Sequence, residues 1–318
     1  MLSRVAENLY WLGRYIERAD NIARLADVNY QVAIEQPDDD GATWSAVIAA
    51  LGAREEYAEA RRARPDLDPA QFVVTSAEHP GSLRAAISEA RHLARELREH
   101  ISREVFEEIN GLYLETGRGA TDEQSLRELY RAVKRSVAAT IGMFDNTVLL
   151  IEGREWFRCG LFLERADMIS RIIDAKYFIL LPDRDEVGGP LDRYQWMAIL
   201  RSASALEAFR KRYRGAVTAE RVIGLLMFDP EFPRSLLFCV MAFKLHFVRA
   251  TMQSPPARTV QAAREAALLE LELRASNAAH VVATGLHEFL DSVELRLLRV
   301  DESLTQQLLH ALPLESAR

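Results

Sequence analysis

Apolar residues recur at every third or fourth position along most of this chain. In the first helical stretch Val5, Leu9, Leu12 and Ile16 follow this spacing, and alanines continue it. Such spacing places apolar side chains on one face of an α-helix, whereas a half-buried strand would alternate at every second residue. The pattern therefore predicts a long amphipathic helix over residues 3–34.

The same periodicity, interrupted by proline, glycine and acidic runs, predicts helices through the rest of the chain. Pro80 suits a first helical turn, where its missing N–H is not needed, and Thr121 suits the cap before Glu123. Only the segment 72–75 resembles a strand. The fold class is therefore predicted to be all-α. The predicted helices span residues 3–34, 44–60, 80–115, 122–152, 155–181, 194–213, 219–227, 233–253, 258–292 and 302–310, with a loop at 182–190.

A polar string near the N-terminus recurs at a constant offset (160 − 13 = 147), and further matches follow at offsets of 152 and 153. Helix propensity does not explain the recurrence, because most matched residues are polar or glycine. We therefore predict a helical bundle built from two tandem pseudo-symmetric repeats, residues 1–152 and 153–318, packed together as one unit. Matched residues include Gly13, Glu17, Arg18, Asp20, Arg24, Asp27, Trp44, Pro80 and Ser82, with Gly160, Glu164, Arg165, Asp167, Arg171, Asp174, Trp196, Pro233 and Ser235.

The repeated string forms a polar stripe beside the apolar face of its helix. At about 100° per residue, Gly13, Glu17, Asp20, Arg24 and Asp27 fall within an arc of roughly 80°. We expect the stripe to be partly buried and its charges to be paired, because an uncompensated buried ion costs several kcal/mol. The glycine leaves space for another backbone or a ligand to approach closely.

Basic residues on the helix after Pro80 are the predicted partners of these acids. Their spacings of seven, four and three residues place them on one helix face. The corresponding helix after Pro233 is much more apolar, which suggests that one half of the protein is specialised. The predicted basic partners are Arg84, Arg91, Arg95 and Arg98.

Three interpretations of the stripes stay open. They are an internal ion-pair network that fixes helix register, a polar cleft for an anionic or zwitterionic ligand such as a peptide or nucleotide, and metal coordination by Glu17 and Asp20. Di-iron bundles also need Glu-x-x-His pairs, and Glu89 with His92 is the one pair found. The face that carries His287 reads as solvated surface. We therefore predict no metal site.

Composition argues against several classes of function. The formal net charge of −7 and the pI near 5.6 disfavour a nucleic-acid partner. No apolar run approaches the ~18 residues of a membrane span, and the N-terminus lacks the apolar core of a signal peptide. Cys159 and Cys239 lie among apolar residues, so we expect no disulfide and a cytoplasmic location. No phosphate-binding loop, dinucleotide fingerprint or nucleophile elbow is present, so no cofactor is expected in this chain.

The opening string LSRVAENLYWLGRYIERA, residues 2–19, closely resembles the bacterial Alpha-E family, all-helical proteins noted for a Glu-Arg motif. The resemblance continues through residues 80–83, the arginine-bearing helix and Asn110, and it covers almost the whole chain. It places the motif at residues 17–18 and, through the repeat, at residues 164–165. Two histidines, His79 and His92, stand where the family pattern has asparagines.

The resemblance also implies a biochemical setting. Alpha-E proteins are typically encoded beside, or fused to, circularly permuted ATP-grasp proteins, often near transglutaminase-like peptidases. This association implies a role in making or modifying a small peptide through amide-bond formation. ATP and magnesium would then be bound by the ATP-grasp partner, and a homo- or hetero-oligomer is compatible with this setting.

Three hypotheses of function follow. We favour a non-catalytic helical partner subunit of an ATP-grasp-type amide ligase, one that helps bind or position the peptide or amino-acid substrate. The first alternative is an enzyme of peptide synthesis or modification in its own right, with Glu17 or Glu164 as general base. The second is a purely structural helical scaffold. The predicted substrate-binding residues are Glu17, Arg18, Asp20, Arg24, Arg91, Arg95, Glu164, Arg165, Asp167 and Arg171.

Overall fold

The computed structural model describes residues 3–35, 42–76, 79–119, 122–149, 152–179, 188–252 and 260–309. Within these ranges the chain forms fifteen α-helices and no strand, so the all-α prediction is confirmed. A π turn, Gly224–Phe228, directly follows the eleventh helix. The helices are α1 (Ser3–Glu35), α2 (Ala42–Ala50), α3 (Arg54–Ala63), α4 (Pro69–Thr75), α5 (Leu83–Glu96), α6 (Arg103–Thr116), α7 (Glu123–Thr147), α8 (Glu152–Ile179), α9 (Pro190–Ser202), α10 (Leu206–Arg212), α11 (Ala219–Ile223), α12 (Leu236–Thr251), α13 (Val260–Ala275), α14 (Ala278–Thr284) and α15 (Leu286–Leu309).

Side-chain caps start several of these helices. Ser82 caps α5 and Ser235 caps α12, each accepting a hydrogen bond from the backbone three residues on. Pro80 therefore lies in the turn before α5. The sequence analysis placed it in the first turn of the helix, and this prediction is wrong. The predicted cap of α7 was also wrong by one position, because Asp122 accepts from the Ser125 amide in a capping box. Thr121 lies outside the described residues.

Several predicted helices are divided in the structure. Residues 44–60 form α2 and α3, separated at Gly52, whose φ is 66°. Residues 194–213 form α9 and α10, separated at Ser204 with φ 53°. Two more predicted helices are also divided. The predicted helix 80–115 is divided into α5 and α6, and the predicted helix 258–292 into α13, α14 and the start of α15. The apolar period continues across these turns, so hydrophobic spacing alone did not reveal them.

Two further segments were harder to interpret from the sequence. The predicted closing helix at 302–310 continues α15 without a break. The strand-like segment at 72–75 belongs to α4, where Phe72, Val73 and Val74 are buried. A short apolar run does not distinguish a buried strand from a buried helical turn. The predicted loop at 182–190 falls largely outside the described residues.

Helices α1 and α8 cross at the centre of the molecule, and most of the other long helices pack against one of them. Helices α5, α7 and α9 contact α1, while α12, α15 and α2 contact α8. Helix α6 joins α5 to α7, and α13 joins α12 to α15. Leu12 of α1 and Leu161 of α8 are fully buried in the resulting core. Among the described helices, none combines the length and apolar character that crossing a membrane requires.

Candidate functional site

Two glycines allow α1 and α8 to touch backbone to backbone. A Cβ atom on Gly13 would meet the carbonyl oxygen of Phe157 and would lie 3.0 Å from its carbonyl carbon. A Cβ atom on Gly160 would meet the carbonyl oxygen of Tyr10 and would lie 2.9 Å from its carbonyl carbon. A methyl group has no room at either position. The two polar stripes are consequently brought into direct contact with each other.

Each Glu-Arg dipeptide pairs with the other across this crossing. Arg165 donates from Nε and Nη2 to the two carboxylate oxygens of Glu17, both at 2.7 Å. Arg18 donates from Nε and Nη2 to the two oxygens of Glu164, at 2.6 and 3.0 Å. The side chains of Glu17 and Glu164 are 0% and 2% exposed. These are bidentate, buried ion pairs, the arrangement in which an arginine best matches a carboxylate.

The Glu17 end of the crossing is closed by a third arginine. Nη1 of Arg234, which precedes the Ser235 cap, lies 3.3 Å from Glu17, and its Nη2 pairs with Asp20. Arg24 donates from Nε to Asp20 at 2.7 Å. We call these residues, together with Arg165, the Glu17 centre. Its two carboxylates are at most 2% exposed, and each is paired with two arginines.

The Glu164 end is built differently. Nε of Arg14 donates to Glu164 at 2.5 Å, and its Nη1 donates to Asp301 of α15 at 2.8 Å. Tyr10 bridges the same groups, since its hydroxyl accepts from Arg14 at 3.0 Å and bonds Asp301. We call these residues, together with Arg18, the Glu164 centre. It links three helices, α1, α8 and α15.

The arginines keep Glu164 ionised. Burial opposes ionisation, but the charges and hydrogen bonds of Arg18 and Arg14 outweigh it and lower the pKa of Glu164 to about 2. Burial likewise opposes the charge on Arg165, yet Glu17 outweighs it and raises the pKa of Arg165. A carboxylate with so low a pKa, already accepting three charged hydrogen bonds, is a poor general base at neutral pH.

A cleft of about 430 Å³ opens beside the Glu164 centre, where α8 and α15 meet. The carboxylates in its wall outnumber the arginines four to two. Arg171 donates from Nε to Asp167 at 3.0 Å, so this pair forms one side of the opening. The lining consists of Arg14, Leu163, Asp167, Arg171, Asp291, Glu294, Leu295, Leu297, Leu298 and Asp301.

Glu294 is a partly buried carboxylate in this cleft, and its pKa is shifted. Burial raises its pKa to about 7; Arg171 opposes the shift, while Asp167 and Asp174 reinforce it. Its Oε1 is buried and has no hydrogen-bond partner among the described residues. A carboxyl with a perturbed pKa in a cleft is a common feature of functional sites.

Next to the cleft, Asp174, His287 and Asp291 each place one donor atom within 4.8 Å of the others. Nδ1 of His287 lies 2.8 Å from Asp174, and its Nε2 lies 3.3 Å from Asp291. The hydrogen bond to Asp174 is the main cause of a raised pKa for His287. Both imidazole nitrogens already face a carboxylate oxygen. The trio therefore fits an ion-paired bridge between α8 and α15 better than it fits a metal site.

The predicted pairing of the acid stripes with the arginines of α5 is wrong. Helix α5 buries its apolar face against α1, so its basic face points away from the crossing. Arg91 donates to Asn110 of α6 at 2.8 Å, and Arg98 lies over the ring of Phe106. The partners come instead from the opposite stripe and from Arg234. The remaining two predicted partners, Arg84 and Arg95, are exposed.

Of the ten predicted substrate-binding residues, the structure gathers eight at the α1–α8 crossing and the adjoining cleft. Arg91 and Arg95 do not line that cleft. Sequence reasoning missed Arg14 and Asp301, which complete the Glu164 centre. Arg14 escaped notice because the repeat matches it to an apolar residue, Leu161. The eight gathered residues are Glu17, Arg18, Asp20, Arg24, Glu164, Arg165, Asp167 and Arg171.

The two histidines that depart from the family pattern take no part in these centres. The ring of His79 is buried and stacks on Phe72, with centroids 4.8 Å apart. Burial lowers its pKa, and neither of its nitrogens has a hydrogen-bond partner among the described residues. His92 is exposed on the outer side of α5. The structure thus shows a stacking role at residue 79.

The fold and the site together define a class of protein. Its members are all-helical, and two Glu-Arg dipeptides pair across a central helix crossing. The chain belongs to the Alpha-E family, described as "a predicted alpha-helical domain with a conserved ER motif", which matches residues 1–309. It is similar to uncharacterized proteins of Mycobacterium bovis and Mycobacterium tuberculosis, each 25% identical over 293 residues. The match covers 85% of this chain but 32% of each relative, so the chain spans about a third of their length. No solved structure matches the chain.

Proposed function

We propose that this protein is a non-catalytic helical partner of an ATP-grasp-type amide ligase and helps bind or position its peptide or amino-acid substrate. The observation that carries the proposal is the length of the relatives. In the mycobacterial proteins the matching unit makes up 32% of a longer polypeptide. A unit that makes up about a third of a longer polypeptide is one that works beside other domains.

The state of the Glu-Arg pairs supports a non-catalytic role. The carboxylate of Glu17 is fully buried between Arg165 and Arg234. Arg18 and Arg14 lower the pKa of Glu164 to about 2. A general base must reach a substrate proton and have a pKa near the working pH. Neither residue meets both conditions, which weighs against the alternative of an enzyme that uses them as bases.

The reciprocal contacts support two tandem pseudo-symmetric repeats, residues 1–152 and 153–318. Gly13 meets the backbone of Phe157, and Gly160 meets that of Tyr10, in each case at the matched offset (157 − 10 = 147). The two Glu-Arg ion pairs are related in the same way, because each glutamate pairs with the arginine of the other dipeptide. A pseudo-two-fold axis through the crossing accounts for both observations, since such an axis maps each contact onto its partner.

The cleft beside the Glu164 centre is the proposed substrate end of this partner. Amide ligation joins a carboxyl group to an amine, and the acidic wall of the cleft favours the amine. Glu294, with one oxygen unpaired, is suited to accept a hydrogen bond from an ammonium group. The exposed Leu295 and Leu298, 54% and 51% accessible, would contact an apolar side chain of the same molecule.

Co-expression with the ATP-grasp protein of the same genome tests the proposal. We expect the two chains to elute together in gel filtration at micromolar concentration. With ATP, magnesium and amino acids, mass spectrometry should detect an amide product whose yield falls at least tenfold when this chain is omitted. Independent elution, or an unchanged yield without this chain, would contradict the proposal.

A purely structural scaffold is the second candidate, because the charges at the crossing are paired within the chain. The variant Glu294→Gln separates the two functions. If the cleft positions the amine, this variant lowers the product yield while the complex with the ATP-grasp protein persists. A scaffold leaves the yield unchanged, and the exposed residue Glu89 supplies a matched control, Glu89→Gln.

A further inference from the structure

The outward side of α12 is apolar. Leu245 and Val248 of α12, and Met252 directly after its end, lie three and four residues apart on the side opposite the buried residues Phe243 and Phe247. They are 50%, 58% and 77% exposed. Single exposed apolar residues are normal on a protein surface, but a row along one helix face marks an interaction surface.

Helix α13 extends this row into a two-helix surface. Lys244 of α12 pairs with Glu270 of α13 at 2.5 Å, and Arg274 contacts the sulfur of Met241 at 3.1 Å. The two helices therefore lie side by side. Val260 and Leu271 of α13 are 56% and 66% exposed. We call the five exposed residues the apolar hairpin face: Leu245, Val248, Met252, Val260 and Leu271.

The corresponding positions of the first half are polar. At the offset of 153, Leu245, Val248 and Met252 correspond to His92, Arg95 and Glu99. These three residues are also exposed, so the positions point outward on both helices. If folding required apolar side chains at these positions, both copies of the helix would carry them. The apolar character of α12 is therefore specific to a task that α5 does not perform.

Basic groups surround the apolar hairpin face. Lys244 and Arg274 share the carboxylate of Glu270, whereas Arg249 and Arg264 are exposed and have no carboxylate partner among the described residues. A second copy of this chain would bring the same two unpaired arginines against this face, and like charges across an interface are unfavourable. The four basic residues are Lys244, Arg249, Arg264 and Arg274.

We propose that the apolar hairpin face docks the ligase partner, through a partner surface with apolar side chains at its centre and carboxylates at its edge. The inference rests on the proposed function and names the surface that the function requires. About two thirds of each mycobacterial relative lies outside the match to this chain, which leaves room for further domains in the same polypeptide. An apolar centre with a charged rim is the usual anatomy of a specific protein interface.

The double variant Leu245→Glu with Val248→Glu tests this surface. Its matched control changes the corresponding positions of α5, as His92→Glu with Arg95→Glu. Binding of each variant to the co-expressed ATP-grasp protein is measured by calorimetry, and folding by thermal melting. We expect the α12 variant to weaken binding at least 100-fold and the α5 control to change it less than threefold. Leu271→Glu on α13 repeats the test from the other helix.

The outcomes separate the surface from the function. If wild type binds the ATP-grasp protein and the α12 variant binds equally well, the docking surface is wrong while the partner function stands. If wild type does not bind, the partner function itself fails. If light scattering shows a wild-type dimer that the α12 variant dissolves, the occupant is a second copy and the inference is overturned. Raising the salt concentration should weaken the wild-type complex, because the rim is charged.

Discussion

The Glu17 centre and the Glu164 centre begin from the same string of residues and end in different environments. The side chain of Asp20 is 2% exposed, whereas that of Asp167, its match in the second copy, is 19% exposed. Arg24 and Arg171 follow the same order, at 23% and 36%. One copy of the string is therefore closed inside the protein, and the other forms the wall of a cleft.

Residues outside the string produce this difference. Arg234 covers the Glu17 centre, and the position 153 residues earlier is Gly81, which has no side chain to cover the opposite end. On α15 the cleft receives Asp291, Glu294 and Asp301. At the same offset the first half carries only apolar residues, which are Ala138 and Ile141 of α7 and Val148 directly after it. The comparison teaches that a paired motif can hold helices together at one end and border a cleft at the other.

The largest expected effect comes from removing the central glutamate of each centre. Glu17→Gln leaves Arg165 and Arg234 without their buried partner and should lower the free energy of unfolding by about 3–5 kcal/mol. Glu164→Gln should cost about 2 kcal/mol, because Arg14 keeps Asp301 and Arg18 is 23% exposed. Urea denaturation at pH 7 measures both. Equal losses would show that the two centres are equally closed in solution.

Alanine at the crossing glycines should affect both copies alike. Gly13→Ala and Gly160→Ala each place a Cβ atom against a carbonyl group of the facing helix, so each should cost roughly 3 kcal/mol. Gly111→Ala on α6, where nothing lies within 4 Å, should instead stabilise by about 0.5–1 kcal/mol. Thermal melting compares the three. A harmless alanine at only one crossing glycine would contradict the reciprocal contact.

Opening the closed centre should make it resemble its counterpart. Arg234→Gln removes the arginine that covers Glu17 and Asp20, while Arg165 and Arg24 remain in place. The free energy of unfolding should fall by about 2 kcal/mol, less than for Glu17→Gln, because both carboxylates keep one arginine. Urea denaturation at pH 7 tests the order. A larger loss than for Glu17→Gln would mean that Arg234 has the greater share in stability.

The smallest expected effect is specific to the cleft and depends on pH. The folded pKa of Glu294, about 7, lies above the ordinary value of 4.5, so its ionised form opposes folding above pH 7 and not below pH 4.5. Glu294→Gln should therefore stabilise by about 1 kcal/mol at pH 8, after allowance for solvent screening, and the gain should fade towards pH 4.5. Thermal melting across this pH range measures the gain in stability, with Glu89→Gln as the control. A pH-independent gain would contradict the raised pKa.

Local patterns predicted the helices well and the turns between them poorly. The long helices α1, α7 and α8 follow the predicted ranges, because the burial of one helix face repeats every 3.6 residues. The break at Ser204 was missed, since a single residue with positive φ does not disturb the apolar period. The predicted burial of Glu17 and Glu164 also agrees with the structure, because a polar stripe beside an apolar face follows that face inward.

The partners of those buried acids could not be predicted in the same way. Arg165 is 148 residues from Glu17 in sequence, and the arginines of α5 match the sequence criteria equally well. The choice depends on which helix crosses α1 closely enough for bidentate contact. That approach requires Gly13 and Gly160 to face opposite backbones, a relation that appears only after folding. The cleft was hidden for the same reason, because its walls come from α1, α8 and α15.

The amino-acid sequence by itself determined that this protein is all-helical, that its Glu-Arg string occurs twice and that the polar stripes are partly buried. Only the tertiary structure decided that the two strings pair with each other, that Arg234 closes one end and that α15 leaves the other end open. The physical reason is range. Helix formation and amphipathicity depend on neighbours within a few residues, whereas an ion pair depends on which distant surfaces the packing of the whole core brings within 3 Å.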